Sequence, residues 1–198
     1  TLVNESAMLR MLRIVVEEMC LPEEEIFESD GYIFSYSKST EQTLDKLLAS
    51  GLNGAEGVML NHCEKPLSIA ELKATIKRAD EVGLATIVCA DSIAEASAIA
   101  HLTPNIIVAE PTELIGTGVA SDMGYVRDTI EAVRKINPDI MVLQGAGISG
   151  PEDVANVIRA GAQATGCTSG VMKAADPEAA AEEMLYTLRK TWDEVNGK

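Results

Sequence analysis

From about residue 31 onward the chain alternates between two kinds of segment. Short, continuous apolar runs are followed by longer stretches in which apolar positions recur at helical spacing. The runs fall at residues 32–35, 57–61, 86–90, 105–109, 140–143 and 164–167. They lack period-two alternation, as expected of strands covered on both faces. Between them the pattern predicts helices over 41–50, 68–81, from 91–95 onward, over 122–136, from 149–152 onward, and from 176 to near the C-terminus. Ser68 with Glu71 is a capping-box pair, Gly83 closes that helix, and Asp176-Pro177-Glu178 is a strong helix start. Ser149, Pro151 and Glu152 open another. Before residue 31 the pattern gives one amphipathic helix, about 5–20, and an acidic stretch over 23–30. Repeated strand–helix units imply right-handed crossovers and a parallel sheet, so the fold class is α/β in a single domain over 1–198. About six units are recognisable, whereas a closed parallel barrel needs eight. Roughly the first two strands are therefore expected to be missing or unrecognised.

Composition narrows the picture. Hydrophobic residues make up 46% of the chain but aromatics only 4%, so the core is aliphatic, which suits helix-on-strand layers. A formal charge of −15 argues against nucleic-acid or anionic-membrane partners. An anionic ligand would then need local devices such as helix N-termini. Cys20, Cys63, Cys89 and Cys167 are scattered, with no metal-ligand spacing, and point to a reducing cytoplasm. No metal or cofactor is implied. No apolar run reaches transmembrane length and no signal peptide is visible. The first residue is Thr, consistent with a portion of a longer product.

Two strand ends carry candidate chemistry. The run at 57–61 delivers Asn61-His62, and the run at 105–109 delivers Glu110. The carboxyl ends of parallel strands are where α/β barrels do chemistry. A lone histidine there is more often a hydrogen-bonded core residue, but a carboxylate closing a buried strand needs a partner or a purpose. Together they can move a proton on a small substrate. His101, near a helix end, is expected to lie on the surface without a role. Cys63 beside His62 suggests a nucleophilic dyad, yet strand alternation would send the two to opposite faces, so Cys63 is expected to be a small buried residue behind the site. Glu64 and Lys65 are a local pair or a solvated loop. Two Gly-bearing turns, 145–149 and 168–170, can offer backbone N–H groups to an oxyanion, or can be tight turns needing glycine for backbone reasons alone.

These motifs, over about residues 51–181, resemble those of the triosephosphate isomerase family in its compact archaeal form. They are Asn61-His62-Cys63-Glu64-Lys65, Glu110-Pro111-Thr112-Glu113-Leu114-Ile115-Gly116-Thr117-Gly118, Gly145-Ala146-Gly147-Ile148-Ser149, and Thr168-Ser169-Gly170 with Lys173-Ala174. The resemblance implies a (β/α)8 TIM barrel, incomplete at its N-terminus as given, with strands three to eight recognisable. It implies interconversion of dihydroxyacetone phosphate and glyceraldehyde 3-phosphate in glycolysis and gluconeogenesis, through an enediolate. Glu110 would be the base and His62 the electrophile, a pairing that is a known property of that family and is carried over with the resemblance. Residues 112–118 would form a lid containing Ile115 and Gly116. Gly147, Thr168 and Ser169 would face the phosphate. The implied partner is a small phosphorylated sugar, and the family allows a homo-oligomer, dimer or tetramer.

The departures are specific. The family's Asn-x-Lys on the first strand is absent, leaving Lys38 and Lys173 as the nearest substitute cations. The connection over 34–40 is shorter than the family's interface loop, and Cys63 replaces a serine. An impaired member that binds phosphosugars or serves as an assembly subunit, and an isomerase for another phosphorylated sugar, are the competing readings.

Overall fold

A computed structural model describes residues 57–63, 65–114 and 121–197. The expectations at 5–20, 23–30, 32–35, 34–40 and 41–50, with Lys38, Glu64, Ile115 and Gly116, lie outside these residues. In chain order the elements are β1 (Gly57–Leu60), α1 (Ile69–Glu81), β2 (Ala85–Ala90), α2 (Ile93–Ala100), β3 (Ile106–Ala109), a 3-10 turn (Thr112–Leu114), α3 (Met123–Ile136), β4 (Met141–Gln144), α4 (Pro151–Arg159), β5 (Ala164–Thr165), α5 (Ser169–Met172) and α6 (Pro177–Asn196).

The strands pair in parallel in the order β1-β2-β3-β4-β5, so each unit lands beside the one before it. A doubly wound sheet would reverse direction at a switch point. Unbroken order is the winding of a barrel wall, and the packing agrees. Val58, Leu60, Val88, Ala90, Ile107, Ala109 and Val142 belong to a cluster with helix residues such as Leu72, Ile76, Ile130, Val133 and Val157. The alternate strand residues Ile87, Cys89, Ile106, Val108, Leu143 and Ala164 form a second cluster without helix residues, with Met59 and Met141 against it. Among the described residues, then, the helices cover one face of the sheet and strand side chains pack on one another across the other. That is the wall of a (β/α) barrel. Full burial of each such aliphatic side chain stabilises by about 1.5–3 kcal/mol, which is why both strand faces must be apolar.

Local signals place the helix starts. Ser68 caps α1 and forms the full reciprocal box with Glu71. Ser92, Asp122 and Asp176 cap α2, α3 and α6 through their side chains. Gly83, just past α1, has φ +80, which favours glycine. Three expectations shift. The strand expected at 140–143 lies one residue later, which brings Gln144 into the sheet. The strand expected at 164–167 is reduced to Ala164–Thr165. Gly150, not Ser149, is the N-cap of α4, because the Asp153 carboxylate does the capping: it accepts from Ser149 N (2.9 Å), Gly150 N (3.2 Å) and Ser149 Oγ (2.7 Å). The short helix α5 carries no pattern signal, being four residues long. No helix among the described residues is long and apolar enough to cross a membrane.

Candidate active site

The carboxyl ends of the strands form one rim, and His62 and Glu110 meet there. They follow β1 and β3, two strands separated by β2. The backbone of Glu110 is held by donation of its N–H to Ala90 O at 2.9 Å. By strand alternation Glu110 continues the interior-facing series Ile106, Val108. His62 Nε2 lies 3.9 Å from Glu110 Oε2, with the side chains 16% and 19% exposed. That separation is longer than a hydrogen bond. It is short enough for one small ligand to touch both groups. Burial pushes the Glu110 carboxyl above its ordinary value of 4.5, and the charge of His62 partly offsets this. A desolvated carboxylate beside a place for substrate gains basicity.

Gly145 lies close against the site. A Cβ at Gly145, the residue after β4, would lie 3.4 Å from Glu110 Oε1 and 3.2 Å from Val108 Cγ1. The Glu110 carboxylate thus rests against the backbone of the β4–α4 turn. Gly145 N in turn donates to Ala109 O at 3.3 Å.

The second Gly-bearing turn packs on the first. A Cβ at Gly170 would sit 2.9 Å from Ile148 O and 3.0 Å from Ser149 Cα, both backbone atoms. The turns at 145–149 and 168–170 are therefore in contact, and Gly147, within the first of them, adopts φ +75. Thr168 is the N-cap of α5, and the first bonds of that turn are donated to Thr168 O by Val171 (3.1 Å) and Met172 (2.8 Å). The amides of Ser169 and Gly170 precede this ladder. The Ser149 and Gly150 amides, just before α4, are different, since Asp153 already occupies them.

Cys63 corrects an expectation. It is exposed, not buried behind the site, and its Sγ lies 3.8 Å from His62 Nδ1. Alternation does not apply there, because the strand ends at Leu60 and Asn61 turns the chain with a left-handed φ of 60. Lys65 is half-buried with its Nζ shielded from solvent, so it is no solvated-loop lysine. Lys173 is exposed at the C-cap of α5, and His101 is exposed at the C-cap of α2. Among the described residues no group of three or more His, Cys, Asp or Glu could hold a metal ion. Two features escaped pattern reading: the hydrogen bonds of the Asn61 side chain and the Glu110–Gly145 approach. Asn before His and Gly after an apolar run were visible in the sequence, but their partners come from distant segments.

The family model for triosephosphate isomerase matches residues 46–184. The triosephosphate isomerase of Methanosarcina mazei is 43% identical over 135 residues, covering 67% of this chain and 61% of the relative. That of Methanocaldococcus jannaschii is 42% identical over 135 residues, covering 67% and 62%. The chain thus matches a little over three fifths of the length of these curated relatives. Among solved structures, a 3-hexulose-6-phosphate synthase superposes with a TM-score of 0.60 at 19% identity, over 78% of this chain and 72% of that one. A thiamine phosphate pyrophosphorylase from Pyrococcus furiosus gives 0.57 at 16%, over 80% and 81%. At such identities the likeness speaks for the fold alone. The family match, which spans the His62 and Glu110 strand ends and both Gly-bearing turns, goes further: the chain belongs to the triosephosphate isomerase family.

Proposed function

We propose that this chain carries the proton-transfer and phosphate-binding parts of a triosephosphate isomerase, interconverting dihydroxyacetone phosphate and glyceraldehyde 3-phosphate. The observation that carries the reading is the approach of His62 and Glu110 to 3.9 Å at one rim of the sheet, in a chain of this family. Glu110 takes a proton from the carbon next to the carbonyl. His62 polarises the carbonyl oxygen as charge builds there, giving an enediolate, and relays one proton from the neighbouring hydroxyl oxygen to the former carbonyl oxygen, so that the new carbonyl forms at the adjacent carbon. The same carboxyl then returns the proton to the adjacent carbon. Burial raises the Glu110 pKa, which strengthens the carboxylate as a base for the first step.

The phosphate is assigned to the paired turns, at Gly147, Thr168 and Ser169. The support is their mutual packing and the placement of the Ser169 and Gly170 amides before the α5 ladder. In a chain of charge −15 the anion is held by oriented N–H groups and not by the overall field. Ile115 and Gly116 are assigned to a covering loop over 112–118. A small phosphosugar in a reducing cytoplasm fits the scattered cysteines, and the family's habit of association extends to a dimer or tetramer.

A coupled isomerase assay on the full reading frame, wild type against Glu110→Gln, tests the reaction. Loss of turnover with retained fold is expected. Turnover surviving the substitution would end the assignment of Glu110 as base. An amide-NMR titration with inorganic phosphate tests the anion site. Shifts should map to residues 145–149 and 168–170, and shifts confined to the opposite end of the strands would count against it.

A further inference from the structure

We propose that Asn61 is a positioning residue that, with Glu95 as its partner, aims the His62 imidazole at the reacting oxygen. The inference deepens the reading above and rests on His62 and Glu110 being the reacting pair. In β1, Val58 and Leu60 face the helices and Met59 faces the interior. Continued alternation would turn Asn61 inward and send His62 back toward the helices. The chain instead turns at Asn61, the residue with φ 60. Left-handed backbone is unfavourable for residues other than glycine, though asparagine tolerates it better than most.

Three side-chain hydrogen bonds hold Asn61 in that state, each to a different stretch of chain. Its Nδ2 donates to Cys89 O in β2 at 3.0 Å. The same Nδ2 donates to Glu95 Oε1 in the first turn of α2 at 3.0 Å. Its Oδ1 accepts from Leu67 N, one residue before the α1 cap, at 2.9 Å. Glu95 is itself fixed from the other side, since its Oε2 accepts from Asp91 N at 2.8 Å. The side chain of Asn61 is thus fully committed to the wall. The reversal it enforces brings the next residue, His62, to 3.9 Å from Glu110. The amide is required: Oδ1 must accept and Nδ2 must donate twice, so a carboxylate of the same shape would face both Glu95 and Cys89 O.

The two histidines of the chain make the test direct. A carbon–proton NMR spectrum of the imidazoles has two signals for each type of ring C–H, one per histidine, and His101→Gln assigns them. Asn61→Gly keeps the left-handed backbone and removes all three bonds. Its His62 signal should shift or split while that of His101 stays. In the full reading frame kcat should fall by ~10²-fold with KM little changed, as expected for a reacting group displaced by about 1 Å. Asn61→Asp should lose as much. Adding Glu95→Gln to Asn61→Asp returns a donor to the pair and should recover part of that kcat, a rescue that a general loss of stability would not give. Folded Asn61→Gly with unmoved His62 signals and wild-type kcat would overturn the inference. So would a double variant no better than Asn61→Asp, a comparison that stands even where Asn61→Gly does not fold. If the wild-type reading frame turns over no triose phosphate, the functional reading fails, while the imidazole signals still decide whether Asn61 positions His62.

Discussion

The rim after β1 and β3 and the rim after β4 and β5 solve different problems with different parts of the chain. At the first, the proposed function sits in side chains: His62 and Glu110 face each other at 3.9 Å, with burial raising the carboxyl. At the second, the groups assigned to the anion are backbone amides, and a side chain matters mainly by being absent, as at Gly170. The contrast also runs within the second rim. In the turn leading into α4, the Ser149 and Gly150 amides are already filled by the Asp153 carboxylate. The short α5 has no side-chain cap and keeps its first amides outside the ladder. A helix N-terminus is thus an anion site only where the chain has not already supplied the anion.

The largest effect should come from the side-chain rim. Glu110→Gln removes a positioned general base and should lower turnover by ~10²–10⁴-fold, read in the coupled assay. Its stability should move the other way. The folded carboxyl holds its proton more tightly than the unfolded chain does. Glu110 therefore supports the fold below its ordinary value of 4.5, and that support is withdrawn as pH rises through the raised value. Denaturation curves should show Glu110→Gln gaining on wild type as pH rises toward neutrality, and no difference in acid below the ordinary value. Equal stability at neutral pH would mean that the carboxylate is better solvated than its burial implies.

The backbone rim should respond to methyl groups. Gly170→Ala pushes a Cβ to 2.9 Å from a carbonyl oxygen that has no freedom to rotate away. It should cost about 1–3 kcal/mol by chemical denaturation and weaken phosphate binding, because the two turns must separate. Unchanged phosphate shifts in that variant would dissociate the turns from the anion. Asp153→Ala should do the opposite to the two properties. Losing the cap costs ~1 kcal/mol, whereas removing a carboxylate beside the turns leaves phosphate binding intact or tighter. Weaker binding in Asp153→Ala would erase the distinction between α4 and α5.

The same contrast explains what could be read without coordinates. Strand and helix positions followed from continuous apolar runs and from caps such as Ser68, Ser92, Asp122 and Asp176, all of which act within four residues. His62 and Glu110 were legible because each ends an apolar run. The misplacement of Cys63 came from extending strand alternation past Leu60, when one left-handed residue was enough to cancel it. Ser149 opens the helix by residue type, but it lies one residue before the N-cap Gly150, and its amide and hydroxyl both donate to the Asp153 carboxylate. The commitments of Asn61 to Cys89 and Glu95 span 28 and 34 residues, a separation at which no local pattern carries information.

The smallest effect is expected at Gln144, which separates burial from importance. The residue is fully buried at the end of β4, on the helix side, next in sequence to Gly145. Its Nε2 donates to Ser121 Oγ at 2.8 Å, but its Oε1 is buried without a hydrogen-bond partner among the described residues. The gain from one such bond, about 0.5–1.5 kcal/mol, is offset by about 1–3 kcal/mol for the unmet carbonyl. Gln144→Leu combined with Ser121→Ala removes both terms and should change stability by less than about 1 kcal/mol. Ser121→Ala alone, which orphans the amide as well, should be the worse of the two, by an interaction of about 0.5–3 kcal/mol in a double-mutant cycle. A double variant that loses as much as Gly170→Ala would mean that Gln144 Oε1 is satisfied after all, and that the backbone rim depends on a side chain in the same way as the rim that holds Glu110.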